Sequence, residues 1–115
     1  NFSTFLKKDN SIITQAILFM KENIGKRLWV DEISKRFSYS PSHFSSLFKQ
    51  QTGFAPLDYF IHLKMQKACQ LLNLTDMKIK EVAAYVGYDD PYFFNRIFNR
   101  VIGSSPSEYR KTTKG

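Results

Sequence analysis

The sequence predicts an all-α fold. Three observations point to it: apolar residues fall at helical steps of three and four, sustained period-two alternation and Asn-Gly or Asp-Gly hairpin signals are absent, and Pro and Gly sit where helices would begin and end. Ile13, Ala16, Ile17, Met20 and Ile24 form the stripe of a first helix that Gly25 can terminate. A short helix over residues 31–37 follows, with Asp31 and Glu32 in its first turn, where the helix dipole favours acids. Ser40 and Pro41 read as N-cap and first residue of a third helix, which carries Phe44, Leu47 and Phe48 on one side and ends by Gly53. Pro56 opens a longer helix to about Leu72, with Phe60, Leu63, Lys67/Ala68 and Leu71 in register. A second short helix spans 80–86 and ends at Gly87. Asp90-Pro91 starts a sixth, with Phe94, Ile97 and Phe98 inward and its end by Gly103. Ser105-Pro106-Ser107-Glu108 has the form of a capping box for a seventh, and Thr112–Gly115 reads as a frayed tail.

A chain of 115 residues, 43% hydrophobic and 16% aromatic, can bury one ordinary core or two very small ones and is not disordered by composition. Seventeen Lys and Arg against ten Asp and Glu leave a net charge of +7, which suggests a polyanionic partner, either nucleic acid or an acidic membrane face. The membrane option is the poorer one. The positive charges are scattered rather than gathered on one amphipathic helix, and no apolar run approaches the roughly 20 residues that span a bilayer. Cys69 alone excludes an internal disulfide framework and a cysteine-based zinc cluster, and His43 and His62 are too few for a metal site. Cys69 reads as a small, half-buried apolar side chain. No carboxylate pair, Ser/His/Asp set or Gly-rich phosphate loop appears, so neither an enzyme nor a cofactor is expected. The start lacks a basic segment followed by an apolar stretch and a cleavage site, and it opens on Asn1 rather than an initiator methionine, as expected of a piece excised from a longer protein.

The most informative feature is an internal repeat. With a shift of about 50 residues, Pro41, Phe44, Phe48, Gly53, Pro56 and Tyr59 recur as Pro91, Phe94, Phe98, Gly103, Pro106 and Tyr109. Leu47 answers Ile97, and Asp58 answers Glu108. Upstream the pairing continues one residue out of step, Glu32-Ile33 with Glu81-Val82 and Tyr39 with Tyr88, because Asp89-Asp90 stands where the first copy has only Ser40. Two copies make a duplication rather than a solenoid.

Each copy is a short helix, a brief turn and a second helix, the outline of a helix-turn-helix, whose second helix reads the major groove of duplex DNA. With the aromatics inward, Ser42, Ser45, Ser46 and Lys49 point outward from the third helix, and Tyr92, Asn95, Arg96 and Asn99 from the sixth. These faces hold no acid and no aliphatic residue, as a surface against phosphates and base edges requires. Arg96 can fork onto guanine O6 and N7, and Asn95 or Asn99 can pair bidentately with adenine, each good pair discriminating by about 1–3 kcal/mol. Tyr92 suits a thymine methyl or a phosphate. The serines of the first reader should discriminate less. Lys49, Arg100 and the amides at the openings of both reader helices are candidate phosphate anchors. A polar face of this kind is also the ordinary solvated side of an amphipathic helix. The duplication and the basic surplus favour the groove-reading assignment, and a helical protein-interaction module that keeps the scaffold without reading DNA remains the rival.

These residues resemble the arabinose-operon-regulator (AraC-type) family of bacterial transcription factors, from about Ile12 to Arg110. The most specific stretch runs from Val82 to Phe98 and includes Gly87-Tyr88-Asp89-Asp90-Pro91-Tyr92-Phe93-Phe94-Asn95-Arg96-Ile97-Phe98. It continues through Gly103 and Ser105-Pro106-Ser107-Glu108-Tyr109-Arg110. Ser40-Pro41-Ser42-His43-Phe44-Ser45-Ser46-Leu47-Phe48-Lys49 with Thr52-Gly53 matches the corresponding pattern of the first copy, and Ala68 with Leu71-Leu72 matches the linker helix. The resemblance implies about seven helices in two helix-turn-helix lobes, 9–54 and 74–112, joined by a long helix over 55–73, the whole of 1–115 being one DNA-binding domain. It implies reader helices in successive major-groove segments about one helical turn, roughly 34 Å, apart. It assigns the base-facing role to Ser42, Ser45, Ser46, Tyr92, Asn95, Arg96 and Asn99, with Ser40, Lys49 and Arg100 on phosphates. It also implies recruitment of RNA polymerase, usually as an activator, a cytoplasmic location at the bacterial nucleoid, and an N-terminal sensing or dimerising domain outside this chain.

Several residues depart from the pattern. Trp29 and Lys78 stand where the short helices often have Ser or Thr caps, and Ala55 lacks the cap oxygen that Ser105 supplies. Ser34 replaces a small Ala and Lys64 a common Arg. A weakly capped first lobe is expected to be the less stable, by about 1 kcal/mol per lost cap.

Overall fold

The computed structural model describes residues 2–114, and the side chains of residues 12–113. Seven helices and no strands occur among the described residues: α1 (Phe2–Glu22), α2 (Val30–Arg36), α3 (Pro41–Thr52), α4 (Pro56–Leu74), α5 (Ile79–Tyr85), α6 (Pro91–Ile102) and α7 (Pro106–Lys114). The chain divides into two compact units. One holds α1, α2, α3 and the opening of α4 through Phe60; the other holds Ile24–Arg27 and the chain from Ile61 onward.

Local chemistry sets most helix ends. Ser40 Oγ accepts the His43 N–H at 3.2 Å at the start of α3, and Asp90 Oδ1 accepts the Tyr92 N–H at 3.0 Å at the start of α6, with proline next in each case. Gly53 (φ 85°) and Gly103 (φ 96°) close the same two helices in the left-handed conformation. Ser105 Oγ accepts the Glu108 N–H at 3.1 Å ahead of α7, as the capping-box pattern anticipates. Trp29 and Lys78 supply no cap side chain, but Glu32 Oε1 accepts the Trp29 N–H at 2.9 Å and Glu81 Oε1 accepts the Lys78 N–H at 2.8 Å. The missing cap oxygen is therefore shared by α2 and α5, and the two copies differ in capping at Ala55, which has no counterpart to the Ser105 hydroxyl.

The first unit buries Ile13, Ala16, Met20, Leu28, Ile33, Phe44, Phe48 and Phe60. The second buries Met65, Ala68, Leu72, Val82, Ala83, Val86, Phe94, Ile97 and Phe98. The sequence repeat is also a repeat of packing. Phe44 and Phe48 lie 5.7 Å apart at 44°, and Phe94 and Phe98 lie 5.8 Å apart at 47°. Tyr59 meets Phe48 edge-on at 5.3 Å, as Tyr109 meets Phe98 at 5.8 Å. Ser34 is buried with its hydroxyl donating to the Asp31 carbonyl at 3.2 Å, so the polar atom standing in place of an alanine is satisfied.

Three expectations need correction. The segment 112–114 is not a frayed tail: α7 continues to Lys114, and the Thr112 and Thr113 hydroxyls donate to the carbonyls of Glu108 and Tyr109 at 2.6 and 3.0 Å. Gly115 lies outside the described residues. The first helix extends back to Phe2 and stops at Glu22, short of Ile24. Gly25 does not end it. Gly25 instead allows close approach in the second unit, where a Cβ would stand 2.7 Å from the Tyr85 carbonyl oxygen. The long helix runs two residues further than expected, to Leu74. Arg110 covers its end by donating from Nε to the Leu72 carbonyl at 3.0 Å and from its terminal nitrogen to the Thr75 carbonyl at 3.3 Å.

Candidate nucleic-acid interface

Each unit presents one reader helix. In α3 the burial of Phe44 and Phe48 turns Ser42, Ser46 and Lys49 to solvent, while Ser45 is half-buried beside them. In α6 the burial of Phe94, Ile97 and Phe98 turns Tyr92, Asn95, Arg96, Asn99 and Arg100 outward, and Tyr92 is 81% exposed. The second set is wholly exposed and the first is not. Neither α3 nor α6 contains an Asp or a Glu. Serine hydroxyls and the Lys49 ammonium therefore form the outward face of α3, and a phenol, two amides and two guanidiniums that of α6, with Lys49 and Arg100 in the respective last turns. Such surfaces can donate to phosphates and exchange hydrogen bonds with base edges.

The openings of the two helices differ. Ser40 is exposed, and its oxygen accepts from the helix backbone, which leaves the hydroxyl proton to donate outward. At α6 the acceptor of the Tyr92 amide is the Asp90 carboxylate, which has no proton to donate and places a negative charge at that opening.

One feature of α6 escaped the sequence reading, and a second residue, noted there only as standing where an Arg is common, has a role that spacing did not show. Phe93, outside the expected inward and outward sets, is 43% exposed on α6, and the Arg96 guanidinium carbon lies over its ring at 5.5 Å from the centroid. The i, i+3 spacing of Phe93 and Arg96 was the available signal. The other is Lys64. It is 7% exposed, and its ammonium donates to the carbonyls of Ile24 at 2.6 Å, Val86 at 2.7 Å and Lys26 at 3.1 Å. Burial pulls its pKa down to about 8. Gly87 (φ 94°) packs against this point, where a Cβ would stand 2.8 Å from Lys64 Nζ.

No group of three or more His, Cys, Asp or Glu among the described residues could hold a metal ion, and no helix there is long and apolar enough to cross a membrane. Burial pushes the Cys69 thiol pKa up, and a hydrogen bond with Tyr109 partly opposes it. This is the reverse of what an activated thiolate needs.

The family described as a helix-turn-helix domain matches residues 33–112. A transcriptional regulator from Chromobacterium violaceum, described as containing an AraC-type DNA-binding domain, superposes with a TM-score of 0.86 at 26% identity, over 93% of this chain and 96% of that one. This chain belongs to the AraC-type helix-turn-helix family. The AraC-type chain is also 41% identical over 96 residues to the MmsAB operon regulatory protein of Pseudomonas aeruginosa, which covers 84% of this chain and 31% of that protein. The DNA-binding domain of AdpA, a global transcriptional factor solved in complex with a target DNA, matches with a TM-score of 0.83 at 28% identity, over 89% of this chain and 92% of that one. The AraC-type chain spans about a third of the length of the curated relatives it matches.

Proposed function

We propose that this AraC-type domain binds duplex DNA sequence-specifically, with α3 and α6 each reading a major-groove segment, as the DNA-binding part of a bacterial transcription regulator. The observation that carries the reading is the outward face of α6. Asn95, Arg96 and Asn99 stand together in solvent on a helix free of acids. The AdpA domain, of the same fold, was solved on a target DNA, and this supports the assignment. In this reading the lobes 9–54 and 74–112, bridged by 55–73, engage neighbouring groove segments about one helical turn apart. Ser42, Ser45, Ser46, Tyr92, Asn95, Arg96 and Asn99 face bases, and Ser40, Lys49 and Arg100 face phosphates. The longer protein carries an N-terminal sensing or dimerising domain and recruits RNA polymerase.

Arg96→Ala tests the reading. A preferred site is first selected from a random duplex pool. Binding to that site and to scrambled DNA is then measured. The variant should lose about 1–3 kcal/mol on the site and become indifferent to one base pair, with little loss on scrambled DNA. An equal loss on both would show that Arg96 does not read a base.

A further inference from the structure

Arginine is a demanding base reader because its long side chain has many rotamers, and holding it in one pose costs conformational entropy at the moment of binding. In the second unit the Arg96 guanidinium already has a partner. It lies over the exposed ring of Phe93, three residues back on α6. Such a contact draws on the ring's electron cloud and occupies no hydrogen-bond acceptor, so the guanidinium N–H donors keep their capacity to bond elsewhere.

The Phe93 ring is itself braced. Tyr88, half-buried in the turn between α5 and α6, packs against it at 5.8 Å. Tyr88 also packs against the fully buried Phe94, with ring centroids 5.8 Å apart, and the Lys64 ammonium lies over its ring, 5.7 Å from the centroid. A contiguous line thus runs from a buried lysine through two rings to the exposed guanidinium. The first unit repeats the brace without the load. There Tyr39 meets the ring of His43 edge-on at 4.9 Å at the position equivalent to Phe93, but three residues on stands Ser46, which has nothing for the ring to hold.

We propose that Phe93 is a specificity-determining positioning residue, which holds the Arg96 guanidinium in its base-reading pose before DNA arrives. The proposal rests on the reading that Arg96 faces a base. Phe93 touches the arginine, and its effect on sequence choice passes through that side chain.

The test compares Phe93→Leu, which keeps apolar bulk but removes the π face, with Phe93→Trp, which keeps it, each alone and with Arg96→Ala. Binding is measured on the selected site, on the same site changed at the base pair that Arg96→Ala makes indifferent, and on scrambled DNA. Phe93→Leu should lower discrimination at that base pair by about two- to fivefold, the size of an exposed cation–π contact, and leave binding to scrambled DNA unchanged. Phe93→Trp should restore it. In the Arg96→Ala background, Phe93→Leu should cost nothing more. In the free protein, the ring-current upfield shift of the Arg96 side-chain protons should vanish in Phe93→Leu and persist in Phe93→Trp, a signal that simple loss of stability does not produce.

An undiminished effect of Phe93→Leu in the Arg96→Ala background, or an equal loss on all three DNAs, would overturn the proposal. So would absence of the ring-current shift in the unaltered chain, which needs no variant to fold. If Arg96→Ala lowers discrimination and Phe93→Leu does not, the positioning role fails and the base-reading assignment stands. If Arg96→Ala itself leaves discrimination intact, the base-reading assignment fails and the positioning role falls with it.

Discussion

At the scale of single residues, Lys64 is a charged group held largely out of water, 7% exposed. Three carbonyls satisfy the three N–H donors of its ammonium, yet burial makes the charge expensive, and its pKa falls to about 8. In the unfolded chain the same group titrates near its ordinary value of about 10.4. Between these values the unfolded chain binds a proton that the folded chain has released, so folding stability gains as pH rises through that window. Lys64→Met has no such proton. The stability of the unaltered chain relative to this variant should therefore increase from about pH 7.5 to about pH 9.5, read from urea unfolding at each pH. A difference that stays constant, or shrinks with rising pH, would refute the assignment. The contacts of Lys64 also explain why the chain at Ile24–Arg27 groups with the second unit. None of this was legible in the sequence. The partners lie 40, 38 and 22 residues away, and backbone carbonyls leave no mark in side-chain pattern.

At the scale of elements, the legible features were those whose physics is local. Prolines at helix starts, left-handed glycines at helix ends and aromatics at i, i+4 fix α3 and α6 from a dozen residues each, and both helices fall where the pattern placed them. The outward sets follow from the inward ones by helical geometry, and for that reason most of the candidate site could be read from residue spacing alone. Ser45, half-buried, is the position where an ideal helical wheel is least faithful. Ends set by distant groups were not readable. Arg110 covers the end of α4 from 38 residues away, and Gly25 answers a carbonyl at Tyr85 rather than its own helix. The turns inside the two lobes show a further asymmetry. The second uses Gly87 at φ 94°, and the first places Ser38 at φ 63°. A residue with a Cβ pays about 1–2 kcal/mol in that region, and glycine in turn loses about 0.5–1 kcal/mol more conformational freedom on folding. Ser38→Gly should therefore stabilise the chain by up to about 1 kcal/mol and raise its melting temperature. A lower melting temperature would show that the Ser38 side chain contributes more than its strain costs.

At the scale of the whole molecule, the net charge of +7 bears on affinity more than on fold. On duplex DNA each cation set against a phosphate releases counterions, and the logarithm of the binding constant falls linearly with the logarithm of salt, by about 0.9 per phosphate neutralised. Lys49 and Arg100 close the two reader helices and are both exposed, so each is expected to contribute one such step. Lys49→Ala should flatten the salt slope by about 0.9, and Lys49→Ala with Arg100→Ala by about 1.8, with similar losses on the selected site and on scrambled DNA. Arg96→Ala should instead act mainly on site preference, because a base edge carries no condensed counterion. Titration at four or five salt concentrations separates the two classes of contact. A helical module built to bind another protein through an apolar face would show a nearly flat response in the unaltered chain. A flat response, or a slope that neither substitution moves, would remove these cations from the phosphate backbone.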